Sequence, residues 1–282
     1  MTSRLIAVHA HPDDESITTG GTLARYAAAG ARVTVLTCTL GEEGEVIPPP
    51  LAGLAADRAD QLGGYRHSEL SAACCALGVV DHRYLGGIGA YRDSGMVGSP
   101  AHRHPRALVH AAAGAAGFDA AVDALVTVFD EIAPEVVLSY DEDGGYGHPD
   151  HIAAHQIARA AAGRAASVRR FFAVVRPKSA VAQALLDFEA PAGYRSPVAS
   201  DLGSGVAVDR VAVAIPVRDQ RDRHRAALGA HATQIELLAD GFALSNRIAQ
   251  PVLDTEYFAL LDGEPMPVAT DGPSDDLFAG LS

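Results

Sequence analysis

The chain has 282 residues, a formal net charge of -13, 48% hydrophobic residues and three cysteines. That length buries a sizeable core as one large α/β domain or two smaller ones, and the acidic balance argues against nonspecific binding to nucleic acid or to an anionic membrane. No apolar run is long enough to span a bilayer, and the N-terminus enters a strand pattern without a basic and apolar leader, which predicts a cytoplasmic protein.

The odd set Cys38, Cys74 and Cys75 sits in apolar or helical surroundings and reads as reduced thiols, not as a disulfide framework. Lys178 is the only lysine, so a Schiff-base mechanism is excluded at every other position.

Residues 4–9 form a first strand that runs into His11, Pro12, Asp13, Asp14 and Glu15, with Pro12 ending the sheet ladder. After Gly20 and Gly21 a helical pattern runs to Gly30, and residues 32–37 form a second strand, so the opening is a right-handed βαβ unit. The glycine pair is read as close packing, because nothing there matches a phosphate loop. Residues 40–50 form an acidic loop with Glu42, Glu43 and Glu45 at a strand's carboxyl end, open to readings as a site loop or a solvated one. A helix is expected over 55–77, bent at Gly63 and Gly64 so as to aim Arg66, and ended by Gly78.

A third strand over 82–85 leads into a glycine-rich loop carrying Arg92, Asp93 and Ser94. Residues 99–117 lack a clear period and read as a mobile or variable excursion. Residues 119–132 form an amphipathic helix with Asp119 as N-cap, feeding a strand over 135–140 and a second polar cluster that ends in His148, Pro149, Asp150 and His151. Pro149 suits the first turn of a helix continuing to residue 162. Beyond it, strands over 170–175 and 206–215, helices over 179–186, 216–227 and 233–239, and a last strand over 257–261 precede a loose tail. The predicted fold is α/β: a Rossmann-like, mostly parallel sheet with helices on both faces and a smaller mixed β/α C-terminal cap. The expected division is a catalytic core over 1–167, a cap over 168–262 that completes the pocket, and a tail over 263–282.

Both polar clusters follow strands, where ligands collect in open α/β sheets. Carboxylates and imidazoles packed this densely call for a cation. Three protein ligands with an open position suit catalytic zinc (Zn2+), and His11, Asp14 and His151 would supply them, leaving Asp13 and His148 for proton transfer. A His, His, Asp set also suits ferrous iron (Fe2+). His9 reads as a core histidine, His155 as a helix-face neighbour of the site and Glu15 as an orienting group. His67, His82, His102, His104, His110 and His224 read as solvated or hydrogen-bonded side chains.

The motif 11–15 together with 148–151 resembles the LmbE/PIG-L-like family of metal-dependent N-acetylglucosaminyl deacetylases. Residues 38–47, 60–66, 92–96, 144–148 and 231–234 are similar to the branch of that family that serves mycothiol biosynthesis, whereas 97–118 and the tail look unlike it. The resemblance implies removal of acetate from N-acetylglucosaminyl-inositol, a small amino-sugar substrate, with zinc on His11, Asp14 and His151. It implies Asp13 as general base for a metal-activated water, with a protonated His148 and Tyr146 stabilising the oxyanion. Asp150 would sit beside His148 and raise its pKa. Arg66 and Asp93 would hold sugar or inositol hydroxyls, with Glu45 a further candidate. Mycothiol S-conjugate amidases share the metal motif but cut another amide, and the Glu43-Gly44-Glu45 loop with Gly147 leans toward the deacetylase. A deacetylase of another N-acetylglucosaminyl compound, or a noncatalytic sugar-binding or metal-sensing protein, are the remaining readings. Oligomeric state is left open.

Overall fold

The computed structural model describes residues 2–203, 205–268 and 272–281. A seven-stranded sheet forms the centre, built from β1 (Arg4–His9), β2 (Arg32–Thr37), β3 (Asp81–Tyr84), β4 (Val136–Ser139), β5 (Arg170–Val175), β6 (Val213–Pro216) and β10 (Thr255–Gly263). Its order is β3-β2-β1-β4-β5-β10-β6. The first five strands are parallel neighbours, and β10 lies antiparallel between β5 and β6. A small antiparallel sheet joins β7 (Glu236–Leu237), β8 (Gly241–Ala243) and β9 (Ala249–Pro251). The chain order reverses between β1 and β4, and the crevice above such a switch point is where α/β folds bind ligands.

Helices cover both faces: α1 (Asp14–Thr18), α2 (Gly20–Ala28), α3 (Leu62–Leu77), α4 (Phe118–Ile132), the single kinked turn α5 (Gly144–Gly147), α6 (Pro149–Ala162), α7 (Lys178–Asp187) and α8 (Arg221–Ala230). Strand pleating sorts β1 between two cores: Leu5 and Ala7 pack under α2, α3 and α8, while Ile6 and Val8 pack under α4 and α6. The fifth to seventh strands come from residues 170–263, so the C-terminal half extends the same sheet.

The glycine pair that opens α2 is there for packing. A Cβ on Gly21 would lie 2.5 Å from Val217 Cβ, and one on Gly20 would lie 2.8 Å from His224 Cδ2. The amides of Gly21 and Thr22 donate to the Glu256 carboxylate, both at 2.9 Å, so an internal anion satisfies this helix terminus.

Several expected elements differ. α3 starts at Leu62, not 55, and Gly63 and Gly64 occupy its first turn without a bend. The reason for Gly63 is closeness, since a Cβ there would lie 2.8 Å from Glu42 Cγ. Gly117, not Asp119, is the N-cap of α4. Residues 99–117 hold two short 3-10 turns, Pro100–Arg103 and Leu108–Ala111, and bury Leu108 and Ala111 in the core beneath α4 and α6. Residues 233–239 are not a helix: a turn through Thr233 and Gln234 leads into β7, because they leave α8 to hydrogen-bond to α3 and to β8.

The tail is docked where it is described, with 269–271 and 282 outside the described residues. Leu277 is fully buried, its amide donates to Tyr26 Oη at 2.7 Å, and its carbonyl accepts from Arg170 Nη1 at 3.0 Å. Tyr26 Oη in turn donates to Asp276 Oδ1 at 2.8 Å. Tyr26→Phe strands the Leu277 amide and lowers stability by roughly 1–3 kcal/mol, and Leu277→Ala lowers it by roughly 2–5 kcal/mol. Both are read as shifts of the urea midpoint at unchanged m-value.

Candidate active site

Asp14 organises the site from the loop after β1. Its Oδ2 accepts from the His11 amide at 2.9 Å and from Tyr140 Oη at 2.7 Å, and lies 3.4 Å from His11 Nδ1. Its Oδ1 lies 3.4 Å from His151 Nε2. His11 thus comes from the loop after β1, Asp14 from the start of α1, Tyr140 from just past β4, and His151 from the first turn of α6. The Tyr140 ring stacks on His151 with centroids 4.1 Å apart. Burial pushes the Asp14 carboxyl up, but His151 and His11 hold it well below the usual carboxylate range.

These residues fit a divalent cation. His151 Nδ1 faces Gly144 O at 3.1 Å, which places its proton there and leaves the Nε2 lone pair free. That Nε2 is buried and has no hydrogen-bond partner among the described residues. One ring nitrogen from each of His11, His148 and His151 lies within 4.8 Å of the others, as does one donor atom from each of His11, Asp93 and Asp150. His11 joins both groups because its ring has two occupied faces. Nδ1 turns to Asp14, while Nε2 lies 3.2 Å from Asp150 Oδ2 and 3.5 Å from Asp93 Oδ1. Burial would lower the His11 pKa, but Asp93, Asp14 and Asp150 together raise it well above the ordinary imidazole value.

Asp150 therefore departs from its expected role. His148 is the N-cap of α6, and its Nδ1 accepts the Asp150 amide at 3.2 Å, so only the backbone of Asp150 meets His148. The carboxylate points inward to His11 and to the Ser94 amide at 2.9 Å. Burial, with the nearby His11 and His151, drives the His148 imidazole down to about 3. With Nδ1 accepting, its proton resides on Nε2, so the neutral ring is a hydrogen-bond donor.

Asp13 sits at φ 114°, a sparsely populated conformation for a residue with a Cβ. Burial raises its carboxyl to about 6, against the pull of Arg66. Arg66 reaches it from α3, with Nη2 3.0 Å from Asp13 Oδ2. The same guanidinium donates to Pro12 O and, at 2.7 Å, to Gly41 O. Arg66 lines the cleft, but its Nη groups are spent on the Asp13 loop. Asp93 is similarly engaged, accepting from the Gly95 amide at 2.8 Å and the Glu43 amide at 3.2 Å. Glu45 is exposed at the rim, and Tyr146, 62% exposed, stands edge-on to His151 with centroids 5.0 Å apart.

Sequence reasoning did not single out Tyr140, Arg176 or His231 as site residues, and left Glu42 open as part of the acidic loop. Tyr140 carried one signal, as the strand residue directly before the second cluster. Glu42 buries its carboxylate to accept the Asp93 amide at 3.0 Å. All the expected residues except Asp150 line one cleft of about 660 Å³, whose opposite wall comes from 174–176, 200–203, 205–206, Gln234, 244–246, Ile248 and Gln250. That volume suits a ligand of disaccharide size.

The comparisons with known proteins agree with this geometry. Residues 6–162 match the family model described as "PIG-L: GlcNAc-PI de-N-acetylase". A protein of Nakamurella multipartita named 1D-myo-inositol 2-acetamido-2-deoxy-alpha-D-glucopyranoside deacetylase is 55% identical, covering 99% of this chain and 96% of that one. Proteins of the same name from Acidothermus cellulolyticus and Rhodococcus erythropolis are 50% and 51% identical, over 100% and 99% of this chain and 96% and 97% of theirs. Fold and relatives together define a hydrolytic N-deacetylase of the α/β class. The chain belongs to the PIG-L/LmbE family. Among solved structures, the A40926 pseudoaglycone deacetylase Dbv21 superposes with TM-score 0.56 at 20% identity, covering 93% of this chain and 98% of that one. GalB, the 4-carboxy-2-hydroxymuconate hydratase of Pseudomonas putida, superposes with TM-score 0.58 at 17% identity, covering 96% and 100%. At such identities the likeness is one of fold.

Asp150→Asn removes the carboxylate behind His11 and is expected to weaken divalent metal binding by roughly 10–100-fold. Chelator competition measures the affinity, with far-UV circular dichroism confirming an intact fold.

Proposed function

We propose that the chain hydrolyses the acetamide of 1D-myo-inositol 2-acetamido-2-deoxy-α-D-glucopyranoside, with a divalent cation, zinc by preference over ferrous iron, on His11, Asp14 and His151. The observation that carries the metal assignment is the Asp14 carboxylate, each oxygen 3.4 Å from one imidazole nitrogen, at the base of the cleft that Asp13 also lines. The substrate assignment is supported by the name shared by relatives at 50–55% identity over nearly the full chain. Bound there, the cation supplies Lewis acidity, polarising a carbonyl oxygen and lowering the pKa of water to about 7.

The chain's own groups move the protons. Arg66 engages Asp13 Oδ2, so Oδ1 takes the proton of the attacking water. As the carbonyl carbon becomes tetrahedral, its oxygen gains charge that His148 Nε2–H and the Tyr146 hydroxyl can meet. The C–N bond then breaks while the Asp13 carboxyl returns its proton to the amine, giving acetate and the free amino sugar. Asp150 keeps His11 oriented through Nε2 and takes no part in proton transfer. Asp93 fixes the loop over the site, and Glu45 at the rim is placed to meet hydroxyls of the second ring. Residues 168–262 complete the cleft as its far wall.

The test is amine release by the purified, zinc-loaded protein from the inositol glycoside, beside free N-acetylglucosamine and a mycothiol S-conjugate. Turnover is expected on the first substrate, and Asp13→Ala is expected to lower kcat by about 10²–10⁴-fold with metal content unchanged. Turnover confined to the conjugate would make the chain an amidase and overturn the proposal.

A further inference from the structure

A buried pair outside the cleft meets the Asp13 loop from behind. Asp13 holds its positive φ only if something fixes its backbone, because such a conformation costs an L-residue about 1–3 kcal/mol. Its amide donates to Glu15 Oε2 at 3.0 Å. The other oxygen, Glu15 Oε1, accepts from Ser16 Oγ at 2.6 Å and meets His231 Nε2 at 2.7 Å. Glu15 and His231 are both fully buried, and His231 does not line the cleft. A carboxylate in such surroundings needs a donor or a cation beside it, or it withdraws from its amide.

His231 is itself fixed. It follows α8, and the next turn is pinned to α3, where the Thr233 amide and hydroxyl donate to Glu69 at 2.8 and 2.7 Å. Thr233 O accepts the Ile47 amide at 2.9 Å, tying the acidic loop to the same turn. α3 also carries Arg66, which grips the Asp13 carboxylate from the front. Backbone and side chain of one residue are thereby referred to one helix by two routes.

We propose that Glu15 and His231 are positioning residues that hold the Asp13 backbone in its left-handed conformation and so set the direction of its carboxylate. This rests on the reading of Asp13 as proton acceptor. Among the described residues neither side chain lines the cleft, and their hydrogen bonds go to each other, to Ser16 and to the Asp13 amide, so the loss of the pair acts on kcat and spares binding. His231 lies 69 residues beyond the end of the family match at residue 162, so the C-terminal part supplies the base with support as well as the cleft with a wall.

The experiment compares wild type, His231→Ala and His231→Gln as zinc-loaded, full-length proteins, by steady-state kinetics and residue-resolved amide hydrogen exchange. For His231→Ala, kcat is expected to fall about tenfold or more while KM stays within about twofold. Exchange at the Asp13 amide is expected to quicken about tenfold or more while residues 5–8 of β1 keep their protection. His231→Gln retains a donor to Glu15 and is expected to recover kcat to within about threefold. An unchanged Asp13 exchange rate, equal acceleration along β1, or a KM that rises with kcat constant would each overturn the proposal. If His231→Ala does not fold, Thr233→Val keeps the amide bond to Glu69 and loses the hydroxyl bonds to Glu69 and from Gln234 Nε2, and a kcat lowered about threefold at constant KM is expected; no change overturns the proposal. The exchange readout is independent of turnover. Wild type inactive on the glycoside would refute the substrate reading alone.

Discussion

Everything near the cleft is arranged around the cost of keeping carboxylates ionised away from water. Asp14, Glu15, Asp93 and Asp150 are all buried, and an isolated buried carboxylate would protonate or drive local rearrangement. Each instead accepts backbone amides and faces an imidazole: Asp14 faces His11 and His151, Asp93 and Asp150 face His11, and Glu15 faces His231. The alternation of sign explains why residues from β1, β4, α3, α6 and the turn after α8 must meet at one edge of the sheet.

This arrangement gives chemically similar side chains different work. Asp13 and Asp14 are adjacent, yet burial leaves one near pH 6 with a single arginine partner, while two imidazoles hold the other ionised. A poised carboxyl suits proton transfer, and a firmly ionised one suits a cation. The fold alone carries none of this, as its sharing with a hydratase shows. The chemistry resides in which side chains the strand ends present.

Much of the frame was legible because its signals are local. The strands over 32–37 and 170–175 were read with their observed limits, since a β-branched or aromatic run bounded by turn residues has little alternative. Pro149 marked the start of α6 for an equally local reason, a missing amide hydrogen. The misreadings share a cause in distant contacts. Residues 233–239 have an apolar spacing compatible with a helix, but Thr233 bonds to Glu69, 164 positions away in the chain. Adjacency in the sequence pairs Asp150 with His148, whereas its side chain crosses from α6 to His11 in the loop after β1. Tyr140 reads as one more strand residue until β1 and β4 are paired and its hydroxyl meets Asp14.

The docked tail has a consequence for how the molecule is made. Leu277 fills the core beneath α2, beside strands laid down at the start of the chain. A chain is synthesised from its N-terminus, so that part of the interior stays open until residue 277 has been made. A chain lacking residue 277 would have every cleft residue present and its hydrophobic interior exposed beneath α2.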